Sequence, residues 1–235
     1  MKRTALSVLA LCFAALVAYS GWRAWNEYGD YRAESQMHSV VIGYKPTQLG
    51  TAANQSVIDL QTKYPAVAGW LTVPGTGIDY PFVWYKDNDY YLRRDLNGNR
   101  AMAGTLFMDF RCQRDFTSQN TILYGHHMKN GSMFGTLKRF SDKEFFDAHQ
   151  RAAVYLPRAT LILECFAYLV VTADDAEIYA TAPSKDYLDY VRQNARQYSD
   201  IGLKASDRIV TLSTCSYEFN NARMVLLTRI QQTRG

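Results

Sequence analysis

A cysteine at the end of a strand-like run is the first residue in this chain that could do chemistry. In RIVTLSTC, Val210 and Leu212 share one face of the predicted strand, whereas Ser213 and Cys215 lie on the other face. The thiol therefore does not point with its apolar neighbours, and a strand end is a place from which it could face a groove. Because only the thiolate attacks, a nucleophilic cysteine needs a base or a cation nearby.

The base is sought among four histidines. His38 lies in a polar N-terminal segment and His149 on a charged predicted helix, so a surface position accounts for both. His126 and His127 follow the strand-like run NTILY, which breaks at Gly125 into a loop, and functional residues are common on such loops. This pair is the better source of a base, although an exposed loop pair fits the local sequence equally well.

A cation follows the cysteine in the next strand-like run. If a short loop joins two adjacent antiparallel strands, Arg223 returns beside Cys215. A guanidinium there could donate hydrogen bonds to an oxyanion or hold a substrate carbonyl. Arg229 has the same parity but lies about 20 Å further along the strand. Arg223 is therefore the candidate, and the alternative for any strand arginine is a surface position.

The other cysteines are predicted to be structural. Cys165 has the parity of the leucines in LILECFAYL and should point into the core. Cys112 lies in the polar loop DFRCQRD, where a structural role fits better than reactivity or a disulfide. Cys12 lies in an N-terminal apolar run. The three cysteines that follow this run are an odd number, which leaves at least one free thiol or an intermolecular bond.

The N-terminus predicts a membrane anchor over residues 1–22. Two cations precede an apolar run from Ala5 to about Tyr19, and extension to Trp22 reaches the lower limit of the roughly 17–25 residues that cross a bilayer. The cations favour a cytoplasmic N-terminus, and the aromatic residues after the run fit a membrane interface. A cleaved signal peptide is the alternative. Both interpretations place the rest of the chain outside the cytoplasm.

Composition limits the classes of function. With 48% hydrophobic and 20% charged residues, the chain is not disordered, and 14% aromatic residues favour strands. The net charge of +4 comes without a Lys/Arg run, which argues against binding nucleic acid. The candidate ligands are scattered, with no CxxC or HxxxH pair. We therefore predict no metal and no cofactor.

Two regions follow the predicted anchor. Residues 23–53 are polar and aromatic and predict a partly helical juxtamembrane stalk. Residues 54–235 predict one domain that opens with a helix, which Asn54 caps and Pro65 ends.

Within this domain short strands predominate. The predicted strands are WLTV, IDYPFVW, YYLRR, GTLFMDF, NTILYGH, AAVYLP, ATLILECFAYLVVTA, RIVTLSTCS and RMVLLTRI. Helices are predicted over SMFGTLKRF, over SDKEFFDAHQ with a capping box of Ser141 and Glu144, and from Pro183–Ser184. Many short strands with few helices indicate a β-barrel or a sandwich.

Several of these segments together resemble class B sortases. They are TLSTC with the following Arg223, the upstream YGHHMKNGSMF, and the segments WLTVPGTGIDYPFV, KDNDYYLRRD and GTLFMD. The resemblance runs from about Ala53 to the C-terminus and includes the amphipathic helix between two long late strands. It implies a mainly β fold, a closed eight-stranded sortase-type β-barrel with N-terminal helices and one extra helix between late strands.

The resemblance also implies a function. Sortases are membrane-anchored cysteine transpeptidases of Gram-positive bacteria that need no cofactor. They cleave a C-terminal sorting signal of LPxTG or NPxTN type after its threonine. They join the new carboxyl to an amine of the cell-wall peptidoglycan or to a pilin lysine. The implied partners are surface proteins that bear the signal, the peptidoglycan amine, and the membrane through the N-terminal helix, with the catalytic domain on the extracellular face.

Matched residue by residue, the resemblance makes Cys215 the nucleophile, His126 rather than His127 the catalytic histidine, and Arg223 the essential arginine. Four further residues match the walls of the substrate groove: Ser213, Tyr124, Asn88 and Leu92. Two alternatives remain. One is an exported cysteine peptidase that only hydrolyses, and the other is a non-catalytic, membrane-anchored β-domain that binds wall or protein ligands.

Overall fold

The computed structural model describes residues 2–47, 53–216 and 218–231. The chain forms two compact units, one up to Val40 and one from Val41 onwards. The first unit belongs to helix α1 (Lys2–Val41), which also covers much of the predicted stalk. Its segment Ser7–Asn26 has 20 residues, a mean hydropathy of 1.4 and no buried side chain. By length and composition this segment could cross a membrane, and a signal sequence would pass the same test.

In the second unit, the described residues form a single nine-stranded sheet. The strands are β1 (Val67–Thr72), β2 (Asp79–Trp84), β3 (Leu106–Met108), β4 (Asn120–Tyr124), β5 (Arg151–Leu156), β6 (Ala159–Thr172), β7 (Gln197–Tyr198), β8 (Ile209–Cys215) and β9 (Ala222–Ile230). Their order is β5-β1-β2-β3-β4-β8-β9-β6-β7, and β5 also pairs with β6. Eight strands therefore close into a barrel and β7 extends it, which confirms the predicted mainly β barrel.

Three strands meet at one end of the barrel. β4 is parallel to β8, with Tyr124 opposite Ser213. β8 is antiparallel to β9, with Cys215 opposite Arg223. The C-terminal ends of β4 and β8 and the N-terminal end of β9 are therefore neighbours. The loop that follows β4 starts at this same end.

Two apolar clusters hold these strands in place. The barrel interior is filled by apolar side chains from strands all around it, among them the fully buried Leu71, Leu123 and Leu226. The second cluster packs the outer faces of β6 and β9 against helix α4 (Tyr187–Asn194), with Val191 fully buried. Because β8 and β9 are buried on both faces, the end that carries the two candidate residues is rigidly supported.

Helix α2 (Gln55–Lys63) begins after Asn54, as predicted. The Asn54 side chain makes no capping hydrogen bond. Its amide nitrogen donates to the carbonyls of Leu156 at 2.6 Å and Ala159 at 3.1 Å. The residue thus ties the start of α2 to the turn between β5 and β6.

One predicted strand is wrong. YYLRR forms a 3-10 turn over Tyr91–Arg93. The Asp87 carboxylate accepts hydrogen bonds from the backbone of Asp89 at 3.0 Å and of Tyr90 at 2.8 Å, and this turns the chain before a strand can form. The aromatic residues that favour a strand instead pack on each other, with 4.9 Å between the ring centroids of Tyr90 and Tyr91.

Helix starts were predicted less well than strands. SMFGTLKRF contributes a 3-10 segment, Gly135–Ser141. Helix α3 (Lys143–Ala148) is capped by Asp142, whose carboxylate accepts from the Phe145 N–H at 2.8 Å, so the predicted capping box is wrong. Helix α4 begins at Tyr187, after the predicted start at Pro183–Ser184.

Candidate active site

A groove of about 210 Å³ opens where β4, β8 and β9 end. It is lined by all seven residues that the sequence singled out: Cys215, His126, Arg223, Ser213, Tyr124, Asn88 and Leu92. Five residues that the sequence analysis did not anticipate also line it: Phe107, Gly125, Ala173, Tyr179 and Thr214. The fold thus brings together a thiol, an imidazole and a guanidinium from three separate segments.

Cys215 and Arg223 lie opposite each other on β8 and β9. The Ser216 N–H donates to the Ala222 carbonyl at 2.9 Å, so ladder hydrogen bonds flank the Cys215–Arg223 pair and do not join it. In such a pair the two side chains share a face, and the Cα atoms are typically about 4.5 Å apart. The thiol and the guanidinium therefore face the same groove.

The cysteines differ in access to solvent. Cys112 and Cys165 are buried, whereas Cys215 is partly exposed. Burial raises the pKa of Cys112 to about 11. Burial likewise raises the pKa of Cys165 to about 12. Both therefore remain thiols at neutral pH, as expected of structural residues, and Cys215 is the accessible thiol of the barrel.

The His126 ring is oriented by a backbone carbonyl. Its Nε2 lies 2.6 Å from the carbonyl oxygen of Leu92. Because a carbonyl only accepts, Nε2 carries the hydrogen, and in the neutral ring Nδ1 is left as the base. Burial lowers the pKa of His126, and the nearby Arg93 charge adds to this, while the bond to Leu92 opposes it. The neutral imidazole therefore predominates at neutral pH.

This carbonyl is in place because of the 3-10 turn Tyr91–Arg93. The turn is fixed by hydrogen bonds from Thr105 N–H to the Tyr91 carbonyl and from Ala101 N–H to the Arg93 carbonyl, both at 3.0 Å. Gly104, with φ of +59°, packs directly against the backbone of Leu92. A side chain at Gly104 would need the space that the Leu92 carbonyl occupies.

We expect Gly104→Ala to lower kcat by about tenfold to a hundredfold, because a shift of the Leu92 carbonyl misplaces the His126 ring. The added Cβ would collide with the carbonyl of Leu92 and lie 2.7 Å from that of Tyr91. Gly98→Ala is the matched control. Gly98 also has a positive φ, but its Cβ would meet only the Tyr90 hydroxyl, at 3.1 Å. Both variants should lose stability. Equal kcat in the two, each corrected for the folded fraction measured by circular dichroism, would contradict this role of Leu92.

Two tyrosines form one wall of the groove. The rings of Tyr124 and Tyr179 are stacked, with centroids 6.2 Å apart. The Tyr124 hydroxyl donates to Asp109 at 3.1 Å, and the Tyr179 hydroxyl lies 2.8 Å from the Ser213 hydroxyl. Tyr179 belongs to the connection between β6 and α4, and no local sequence pattern marks it.

An ion pair between a buried carboxylate and an exposed guanidinium supports this wall. Asp109 is fully buried and receives two hydrogen bonds from the Arg111 guanidinium, at 2.9 and 2.8 Å. Burial raises the pKa of Asp109, but the hydrogen bonds and charge of Arg111 outweigh burial and hold that pKa below its usual value. The carboxylate therefore remains ionised as an acceptor for Tyr124.

The His126 pKa predicts a pH dependence of stability. The folded protein holds the pKa of His126 below the ordinary 6.5. Between the folded pKa and pH 6.5, the unfolded chain therefore binds more protons than the folded protein. We expect the free energy of unfolding to be highest above pH 6.5 and to fall as the pH is lowered towards the folded pKa. His126→Gln should reduce this decline in urea titrations at several pH values and leave the part that His127 contributes, because burial lowers the pKa of His127 as well. An unchanged decline in the variant would show that His126 does not cause it.

Comparison with known proteins identifies the family. The sequence matches the family described as "Sortase domain" over residues 71–231. A protein named sortase B from Listeria monocytogenes is 35% identical over 229 residues, which cover 93% of this chain and 93% of that protein. The chain belongs to the class B sortases. It is therefore a cysteine transpeptidase, as the resemblance implied, and its family acts at the cell surface.

Solved structures agree with this assignment. Sortase B of Bacillus anthracis is 31% identical to this sortase with a TM-score of 0.75, covering 86% of this chain and 98% of that one. A class B sortase of Streptococcus pyogenes involved in pilus biogenesis is 30% identical with a TM-score of 0.69, covering 74% of this chain and 97% of that one. Membership of this family sets aside the non-catalytic β-domain.

Proposed function

We propose that this sortase cleaves a C-terminal sorting signal of LPxTG or NPxTN type after its threonine and transfers the new carboxyl to an amine. The first candidate acceptor is an amine of the cell-wall peptidoglycan. A pilin lysine is the second candidate, favoured by the similarity to a Streptococcus pyogenes enzyme involved in pilus biogenesis. The observation that carries the proposal is the groove in which Cys215, His126 and Arg223 meet.

In the first step the Cys215 thiolate attacks the threonine carbonyl, and the oxygen becomes an oxyanion. Arg223 is the proposed donor to this oxyanion, because its guanidinium faces the same groove as the thiol. The N–H of Ser216, which follows the nucleophile, is bonded to the Ala222 carbonyl at 2.9 Å. The guanidinium also donates to the Ala222 carbonyl, through Nη1 at 3.0 Å, but unlike the single N–H of Ser216 it has further N–H groups to offer an oxyanion.

His126 is the proposed acid and base. As an imidazolium it gives a proton to the departing amine, and the threonine carbonyl is left as a thioester on Cys215. In the second half of the reaction the acceptor amine attacks the thioester and loses a proton to neutral His126. The Cys215 thiolate is then released. Because burial lowers the pKa of His126, the imidazolium that starts the cycle is a minority form at neutral pH.

Four further residues are proposed to bind the signal peptide. Tyr124 and Leu92 offer an aromatic and an aliphatic surface, and the Leu92 residue is 36% exposed. Ser213 lies on β8 beside the thiol, and the Asn88 amide is anchored by the backbone N–H of Phe110 at 3.1 Å. A largely apolar groove with a few oriented polar groups suits an extended peptide.

We propose that the chain is divided as the sequence predicts. Residues 1–22 anchor the protein in the membrane, residues 23–53 form a stalk, and residues 54–235 form the catalytic domain. The apolar helical segment Ser7–Asn26 supports the anchor. Two cations before the apolar run favour a cytoplasmic N-terminus and an extracellular catalytic domain. Surface proteins and wall amines, the proposed partners, are found on that side.

The test uses the full-length protein in detergent micelles and fluorogenic peptides with LPxTG, NPxTN or variant signals. Each signal peptide is incubated without an amine and with each of three amines in turn: a glycine peptide, a diaminopimelate peptide and a lysine peptide. We expect one signal to be cleaved after threonine and an amine-linked product to form with one acceptor. If the signal peptide is cleaved but only the hydrolysed product forms with every amine, the result would contradict transfer and favour the exported peptidase.

A further inference from the structure

The backbone ladder between β4 and β8 stops one step before the nucleophile. The last rung runs from the Gly125 N–H to the Ser213 carbonyl at 3.1 Å. If the parallel ladder continued, the Cys215 N–H would donate to the Gly125 carbonyl, and the N–H of residue 127 would then donate to the Cys215 carbonyl. The chain leaves the strand at Gly125, and this allows the His126 side chain to enter the groove.

Beyond Gly125 the backbone takes other partners. The His126 carbonyl accepts from the Phe134 N–H at 3.0 Å, and His127 forms an isolated bridge with Met133. The chain after Gly125 therefore turns to pair with the loop that follows instead of continuing along β8. The Cys215 carbonyl needs a different donor, because an unpaired backbone acceptor in a partly buried site is costly.

The side chain of His127 supplies this donor, since its ring is hydrogen bonded to the backbone of Cys215. We propose that His127 is a positioning residue for transpeptidation, whose ring replaces the missing rung and fixes the Cys215 backbone relative to His126. His127 is one peptide bond away from the proposed base and one hydrogen bond away from the proposed nucleophile. It therefore sets the distance between the two without touching the substrate.

The surroundings of the ring are compatible with this role. Burial lowers the pKa of His127, the charge of Lys138 adds to this, and the bond to Cys215 opposes it. Lys138 belongs to the 3-10 segment Gly135–Ser141, which follows the loop in the chain. A neutral ring keeps one N–H, and one donor is all that the carbonyl requires.

Because His127 acts through Cys215, its loss should reduce kcat and leave KM nearly unchanged. We expect His127→Phe, which keeps a ring but has no N–H, to lower kcat by about tenfold to a hundredfold. His127→Met is a second variant without a donor, in case the phenylalanine variant folds poorly. His127→Gln keeps a planar side chain with an N–H and should recover most of the lost kcat.

The measurements are kcat and KM for amine transfer by the full-length enzyme, with kcat corrected for the folded fraction measured by circular dichroism, so that unfolded protein does not count. His149→Phe is the matched control. The His149 ring is also bound to a backbone carbonyl, with Nδ1 at 2.8 Å from Phe145 oxygen, but it lies outside the groove. This control should lower stability and leave kcat unchanged.

Three results would overturn the proposal. They are full kcat in both donor-less variants, equal losses in His127→Gln and His127→Phe, or a raised KM at unchanged kcat, which would indicate contact with the substrate. The proposal rests on Cys215 being the nucleophile, and Cys215→Ala assayed in parallel separates the two claims. Activity in Cys215→Ala would refute the nucleophile, whereas the three results above refute only the role of His127.

Discussion

Replacement of Cys215 by alanine is expected to abolish transpeptidation, with a loss of at least about 10⁴-fold in kcat. Without the thiol no thioester forms, and the remaining groove binds the signal peptide without a covalent route. The fold should persist, because Cys215 is partly exposed at the end of β8. Mass spectrometry of the amine-linked product measures this loss, and circular dichroism shows whether the fold persists.

The buried cysteines provide the control. Cys112→Ala and Cys165→Ala should keep kcat per folded molecule, because burial raises the pKa of both thiols and keeps them unreactive. In a Cys12→Ser background, which removes the other exposed thiol, iodoacetamide should label Cys215 alone. Loss of activity on labelling of Cys112 with Cys215 intact would contradict the assignment.

Replacement of Arg223 by lysine should lower kcat by about 10²–10³-fold. Lysine keeps the charge but has neither the planar fork of donors nor the same reach across the pair formed with Cys215. Since the oxyanion exists only in the transition state and the intermediates next to it, kcat should fall more than KM rises. Steady-state kinetics with a cleaved signal peptide measure both constants.

Arg229 on the same strand is the matched control. It pairs with the start of β8 at Ile209, away from the thiol. Its guanidinium donates to Glu164 at 2.5 Å and to the Ile201 carbonyl at 3.0 Å, which is a structural role. Arg229→Lys should therefore lower the Tm and keep kcat. Equal losses of kcat in the two variants would show that Arg223 acts through stability rather than through the oxyanion.

Local sequence patterns were sufficient to predict the strands that carry the thiol and the arginine. The alternation in RIVTLSTC separated Cys215 from the core, and hairpin geometry returned Arg223 beside it, as the register of β8 and β9 confirms. Parity also placed Cys165 in the core, where it is fully buried. The choice of a barrel over a sandwich came from the family resemblance, because the pairings of β4 with β8 and of β5 with β6 are set by contacts beyond any local pattern.

The orientation of the proposed base could not be predicted. It depends on the Leu92 carbonyl, in a segment whose tyrosines favour a strand but whose Asp87 starts a turn. It also depends on the close approach of Gly104, which is distant in sequence. Likewise, the choice of His126 over His127 rested on the resemblance. The sequence gives no sign that the second ring binds the backbone of Cys215.

The central claim is that Cys215 carries the threonine of a sorting signal as a thioester. The most direct measurement is the intact mass of the full-length enzyme after incubation with a cleaved signal peptide, without an amine and with an acid quench. The account predicts an adduct equal to the peptide through its threonine, located on Cys215 by fragmentation and released by hydroxylamine. Cleavage that proceeds with no adduct on Cys215, or that persists in Cys215→Ala, would contradict it.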